Sequence, residues 1–314
     1  MVRVGGLLYT MTIGKGGAVR PIVFDLRDRS LTGLGRVARE TVKAYRAAFP
    51  NDAVTVLESG GARYSLRAQW EWVTGLRHRY PEAVWVWFHW DVPWIAMPRR
   101  SVVYVNDLIH LDRSLQQTGW LKRAVAQRWI HRAMHGAGRV VTGSQATAAL
   151  LPVPSVVIPH GVSAAFGGAW APQDYLLTVG DDRAYKNLAM ARTVAAALGL
   201  TWRHATGVSE DALNALYAGA RVVLVPSRAE GFGLPVLEAF ARGVPVVASD
   251  IAPLREVSGG LATLVPPDDT AGWTAAVQRA WTDPGDPDAR RAWAATFTWA
   301  RSAASLRDEI ARLS

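Results

Sequence analysis

The sequence predicts an α/β protein made of two doubly wound, Rossmann-like halves. Apolar runs without polar alternation recur at Pro21–Leu26, Ser101–Val105 and Val222–Val225, the pattern of parallel strands covered on both faces. Glycine-bearing turns leading into helical segments follow the first and the last of these, at 28–36 and 230–233. A Gly/Ala/Pro-rich stretch at 161–173 separates the two series and marks an interdomain boundary. No G-x-G-x-x-G follows the first strand of either half, which argues against a dehydrogenase.

Composition narrows the function classes. The 314 residues, half of them hydrophobic, suffice for two ordinary domains with their own cores. There is no cysteine, which excludes disulfides, thiolate catalysis and zinc–thiolate sites. The net charge of +9 is uneven: residues 1–165 hold 21 Lys and Arg against 10 Asp and Glu (+11), and residues 166–314 hold 14 against 16 (−2). The basic half is expected to meet an anionic partner such as lipid headgroups or a phosphorylated acceptor. Nucleic acid is disfavoured, because there is neither a dense Lys/Arg run nor a reader motif. No apolar run reaches the ~18 residues that a spanning helix needs. Gly14-Lys15-Gly16-Gly17 interrupts the N-terminus before any apolar core forms, so residues 1–20 read as an extension and a poor signal peptide.

In chain order, Pro21–Leu26 is the first strand, followed by the loop Asp28–Arg36 with Gly33 and Gly35, and an amphipathic helix to Phe49. Ala53–Leu57 is a second strand. Val84–Trp94 starts as a buried strand and leaves its carboxyl end, where open α/β sheets bind ligands, with His89, Trp90 and Trp94. Trp90 and Trp94 are candidates to stack on a sugar, and His89 to reach the cleft. Ser101–Val105 leads to Asn106 and Asp107. Trp120–His135 is a basic amphipathic helix, either lying on an anionic membrane or presenting a core-facing stripe. Gly138–Ser144 and Ser155–Pro159 are two further strands, and His160-Gly161-Val162 closes the half.

The second half opens on the strand Tyr175–Gly180, followed by Arg183, Lys186 and Asn187. Val222–Val225 then runs into Glu230-Gly231-Phe232-Gly233, and Leu234-Pro235 opens a helix with proline in its first turn. Strand, glycine turn and helix N-terminus together offer free backbone N–H groups to an anion such as a diphosphate. Glu230 in the turn can meet sugar hydroxyls or a developing positive charge. Glu238, inside the helix, can accept hydrogen bonds from a ribose diol. Val244–Ala248 and Leu261–Pro267 are the remaining strands, and the chain is helical from Thr270 except at 283–287.

EGFGLPVLEA, with seven residues between Glu230 and Glu238, resembles the paired-glutamate motif of retaining family 4 glycosyltransferases of the GT-B fold, near the subgroup of bacterial mannosyltransferases. LYAGARVVLVPS before it and GVPVVASD after it are similar to the same family. The resemblance implies two Rossmann-like domains facing each other across a cleft: an extension 1–20, an acceptor-side domain 21–165, a donor domain 166–297, and a terminal helix 298–314 returning to the first domain. It implies Glu230, Lys186 and Asn106 as catalytic positions. Donor binding would fall to Glu238, Gly231, Phe232, Gly233, Leu234, Lys186, Arg183 and Gly180. Gly33, Gly35, His89, Asp107 and Trp90 would face the acceptor.

The family usually has His where Asn106 stands, Asn where His160 stands, and a second basic residue at Tyr185, for which Arg183 is the substitute. Asn106 can donate to a sugar hydroxyl but cannot carry a proton. The implied reaction is transfer of a hexose from a nucleoside diphosphate sugar (GDP-mannose favoured; UDP-, dTDP- and ADP-sugars open) to a hydroxyl of a glycan, lipid-linked or small-molecule acceptor. It uses no cofactor and no metal, in the cytoplasm or at the inner face of the membrane. The alternatives are a sugar-nucleotide-binding protein without turnover, or a glycosyltransferase acting on a natural product or DNA.

Overall fold

A computed structural model describes residues 2–4, 7–12, 20–27, 33–61, 65–111 and 120–314. Its strands are β1 (Val2–Val4), β2 (Leu7–Thr12), β3 (Ile22–Asp25), β4 (Val54–Leu57), β5 (Val84–Trp87), β6 (Ser101–Tyr104), β7 (Arg139–Thr142) and β8 (Val156–Val157) in the first half. The second half contributes β9 (Tyr175–Val179), β10 (Thr201–Ala205), β11 (Val222–Val225), β12 (Val246–Ser249) and β13 (Thr263–Val265). The helices are α1 (Gly33–Ala48), α2 (Leu66–Glu71), α3 (Arg77–Arg79), α4 (Trp120–Gly136), α5 (Gln145–Ala148), α6 (Leu188–Leu198), α7 (Glu210–Gly219), α8 (Leu234–Arg242), α9 (Ala252–Ser258), α10 (Thr270–Thr282), α11 (Pro287–Ala295) and α12 (Trp299–Ala311).

Two sheets organise the chain, so the α/β expectation holds. The first has the order β1-β2-β4-β3-β5-β6-β7-β8, and the second the order β10-β9-β11-β12-β13. From β4 to β8 every pairing of the first sheet is parallel, as is every pairing of the second. β1 and β2 extend the first sheet as an antiparallel edge, with Tyr9 opposite Leu57. Residues 1–20, read from the sequence as an extension, thus contribute two strands; the break at 14–17 lies outside the described residues.

The parallel strands are buried throughout because helices cover both faces. One face of the first sheet packs Tyr45 of α1 and Leu306 and Ile310 of α12 onto Phe24 and Val86. The other packs Trp72, Trp85, Trp87, Trp129 and Ile130 together. Trp90 belongs to this second cluster, only 5% exposed, and is therefore not a cleft-side sugar platform. α12 is held against the first half by a hydrogen bond from Ser302 Oγ to Pro159 O (2.5 Å) and an ion pair from Arg307 to Asp52 (2.9 Å). It follows α11, which packs on α8 of the second half, so the chain crosses between the halves twice.

Each sheet reverses its winding direction at an internal strand, at β3/β5 and at β9/β11. In open α/β sheets ligands bind outside the strand carboxyl ends at such a point. The two switch points face one cleft.

Candidate active site

The second half supplies one wall. Gly180 follows β9 with φ +138°, a conformation that favours glycine, and Lys186 comes from a short turn at Ala184–Lys186. Asn187 sits at φ +53°, locked by its Nδ2 donating to Pro267 O (3.0 Å) and its Oδ1 accepting from Arg228 Nη1 (2.9 Å). That locked turn aims Lys186 at the end of β11. There its Nζ lies 2.7 Å from Glu230 Oε1, which also accepts from Ser227 Oγ at 2.8 Å. Burial alone would lower the Lys186 pKa, but the Glu230 carboxylate outweighs it and holds the amine above its ordinary value.

α8 points its N-terminus into the same space. Gly233 precedes it at φ +109° and contributes no side-chain cap, and Pro235 occupies the first turn. A Cβ on Gly233 would fall 2.7 Å from Leu254 Cδ2, so both conformation and space call for glycine. Pro235 has no N–H and Val236 N donates to Gly233 O (3.0 Å), so the amides left for an anion beside Lys186 are those of Gly233 and Leu234.

The first half supplies the other wall. Gly33 and Arg36 of α1, Asn106, Asp107 and His160 line a cleft of about 330 Å³ together with Gly180, Arg183, Tyr185, Lys186, Glu230–Leu234 and Glu238. The walls meet at Gly231: a Cβ there would lie 2.0 Å from Asn106 O. Gly231 O accepts from Ser144 Oγ (2.7 Å) and Thr147 Oγ1 (3.1 Å). Glu256 of α9 reaches across to accept from the backbone N–H groups of Gln145 (2.8 Å) and Ala146 (3.0 Å). The cleft is closed by these contacts.

Most of the residues singled out from the sequence converge on this cleft, with exceptions. Gly35 is buried inside α1 and is not among the lining residues. His89 lies on the far side of Leu34, in a smaller cavity of about 40 Å³ with Asp25, Arg27 and Asp91. Asp107 Oδ1 accepts from Ile109 N at 3.1 Å, a turn-capping contact at the cleft wall. Arg183 pairs with Asp181 at 3.0 Å and lies 3.4 Å from the Tyr185 hydroxyl, half-exposed at the rim.

Asn106 also differs from its sequence reading. Its Nδ2 donates to Phe88 O at 2.8 Å, and its buried Oδ1 has no hydrogen-bond partner. The carbonyl of Phe88 fixes the amide orientation, so Asn106 keeps an unpaired acceptor in Oδ1 beside its second amide hydrogen. His160 is buried, with its ring 4.9 Å from that of Phe232. Burial pulls its pKa down to about 4, which leaves a neutral imidazole at neutral pH.

Three contributors were not selected from the sequence: Arg36, Tyr217 and Ser227. Arg36 ion-pairs with Glu238 Oε1 across the cleft, and the Tyr217 hydroxyl donates to Glu238 Oε2 at 2.8 Å. Burial raises the Glu238 pKa, opposed by Arg36 and by the Tyr217 hydrogen bond. Arg36 and Tyr217 both stand inside the quoted motifs, but only geometry shows that they share one carboxylate.

Residues 166–283 match the family described as Glycosyl transferases group 1. The MMP alpha-(1->4)-mannosyltransferase of Mycolicibacterium hassiacum is 42% identical over 108 residues, 32% of this chain and 26% of that protein. The O-antigen chain mannosyltransferase B of Escherichia coli is 48% identical over 62 residues, 20% of this chain and 16% of that protein. The D-inositol 3-phosphate glycosyltransferase of Salinispora tropica is 39% identical over 130 residues, 37% of this chain and 26% of that protein. The chain thus matches about a quarter or less of the length of these relatives. Sucrose-phosphate synthase from Thermosynechococcus elongatus superposes with a TM-score of 0.74 at 17% identity, covering 92% of this chain and 98% of that one. WaaG, a glycosyltransferase involved in lipopolysaccharide biosynthesis, superposes at 0.63 with 16% identity over 91% and 95% of the two chains. The fold is GT-B, and the family match lies within the second half of the chain.

Proposed function

We propose that this protein transfers a hexose from a nucleoside diphosphate sugar to an acceptor hydroxyl, with retention of anomeric configuration and without a metal ion. The observation that carries the reading is the Lys186–Glu230 pair set against the uncapped N-terminus of α8. As the glycosidic bond breaks, negative charge accumulates on the leaving diphosphate. Lys186 Nζ and the amides of Gly233 and Leu234 are preorganised to receive it, the kind of electrostatic stabilisation worth most in a water-poor site. Glu230 holds the ammonium in place and faces the space where a sugar with developing positive charge would lie.

In this reading Glu238 takes the ribose and the acceptor enters from the side of the first sheet. Cleft closure at Gly231 excludes water that would otherwise intercept the sugar. Mannose is the favoured sugar, because two of the matching relatives are named mannosyltransferases. The acceptor is a hydroxyl of a glycan, a lipid-linked saccharide or a small molecule.

A thermal-shift panel of GDP-, UDP-, dTDP- and ADP-sugars, followed by turnover of the stabilising donor, tests the proposal, since a bound donor raises stability by mass action. One donor is expected to stabilise the fold and be turned over, undiminished by EDTA. Its product is expected to keep the anomeric configuration by NMR. Stabilisation without turnover on any acceptor would leave a sugar-nucleotide-binding protein instead.

A further inference from the structure

We infer that the first half docks on an anionic lipid bilayer through a surface formed by α2, the 92–96 loop and α4. This inference does not depend on the glycosyltransferase reading. The sequence suggests α4 as a membrane-lying helix, but its apolar stripe of Trp129, Ile130, Ala133 and Met134 faces the protein core. The exposed apolar groups lie beside it. Leu66 and Trp70, one turn apart on α2, are 89% and 67% exposed, and Ile95 and Trp94 are 62% and 40% exposed.

Hydrogen bonds join these elements into one surface. Gln69 Oε1 of α2 accepts from Trp94 N at 2.8 Å, and Trp72 Nε1 donates to Ile95 O at 2.9 Å. From the other side α4 fixes the same loop: Trp129 Nε1 donates to Val92 O (2.9 Å) and Arg132 Nε to Pro93 O (3.0 Å). The Trp94 ring meets the Trp129 ring edge to face at 4.9 Å. Ala96 holds φ +51°, a left-handed conformation costly for a residue with a Cβ. The loop is thus held rigidly while displaying Trp94 and Ile95 to solvent.

Charge decides the occupant. α4 carries no acidic residue, while its Arg123, Arg128 and Arg132 are basic. An exposed apolar patch beside a face of one sign fits an anionic headgroup layer, in which tryptophan sits at the interface and arginine among the phosphates.

Co-sedimentation of the full chain with vesicles tests this. Phosphatidylcholine vesicles containing about one third phosphatidylglycerol should retain the protein, with retention falling as salt rises, while pure phosphatidylcholine should not. The double variant Trp70→Ser/Ile95→Ser should bind about tenfold more weakly or worse, as should Arg128→Glu, with unchanged thermal unfolding. Failure to bind anionic vesicles, or equal binding by the variants, would overturn the inference. A concentration-dependent dimer abolished by Trp70→Ser would overturn it in favour of a self-association surface.

Discussion

Arg36, in the first turns of α1, forms an ion pair with Glu238 of α8, joining the two halves across the cleft at the carboxylate proposed to hold the ribose. Tyr217 occupies the second oxygen of the same carboxylate. In the proposed reading, a ribose diol that takes both oxygens of Glu238 competes with Arg36 for Oε1.

The first prediction follows from this competition. Arg36→Met keeps the aliphatic stem and removes the competing charge. It should tighten binding of the preferred nucleoside diphosphate about three- to tenfold, the range expected for removing a partly buried ionic competitor. Glu238→Gln should weaken binding by at least as much. Isothermal titration calorimetry measures both, and weaker binding by Arg36→Met would show that the arginine assists the nucleotide instead.

Lys186→Ala should lower kcat by roughly 10²–10³-fold, because the amine meets charge that develops only as the leaving group departs. Steady-state kinetics at saturating donor reads this, and circular dichroism checks that the fold persists. A change confined to KM would mean that Lys186 only binds the donor.

His160 makes the fold sensitive to acid. Its imidazole titrates at about 4 in the folded chain and near the ordinary 6.5 when unfolded, so the unfolded state binds the extra proton between these values. Stability is therefore fully present above pH 6.5 and declines as pH falls toward 4, by up to ~3 kcal/mol from this group alone. Urea unfolding of the protein and of His160→Asn at pH 7 and pH 4.5 isolates the effect. The variant should lose markedly less stability over that interval, and parallel losses would refute the assignment.

Gly231→Ala places a methyl group where Asn106 O already stands. The halves cannot close around it, so transfer should fall by at least about tenfold while each sheet stays folded. Small-angle scattering should report a larger radius of gyration. An unchanged radius with full activity would show that closure does not rest on this contact.

How much of this was legible in the sequence differs between the halves. The strand–turn–helix around Glu230 was readable because proline, glycine and buried strand signals reinforce each other locally, and α8 begins at Leu234 and stops at Gly243 accordingly. Trp90 was misplaced because an aromatic residue at a strand end is equally suited to a rim or a core, and only packing separates them. For Asn106 the sequence cannot reveal that Phe88 O, eighteen residues away, takes one amide hydrogen and leaves Oδ1 without a partner. The Arg36–Glu238 pair joins residues 202 positions apart on two domains, beyond any periodicity or local motif. The edge strands β1 and β2 escaped notice because they are short and interrupted.

The most direct measurement of the central claim is nucleoside diphosphate release from the stabilising sugar nucleotide by the purified protein and by Glu230→Gln, in the presence of a hydroxyl acceptor. Sustained release with formation of a glycosylated product is expected from the protein, and a loss of at least about 100-fold from the variant. Release by Glu230→Gln at the rate of the unaltered protein, or no release from any donor, would contradict it.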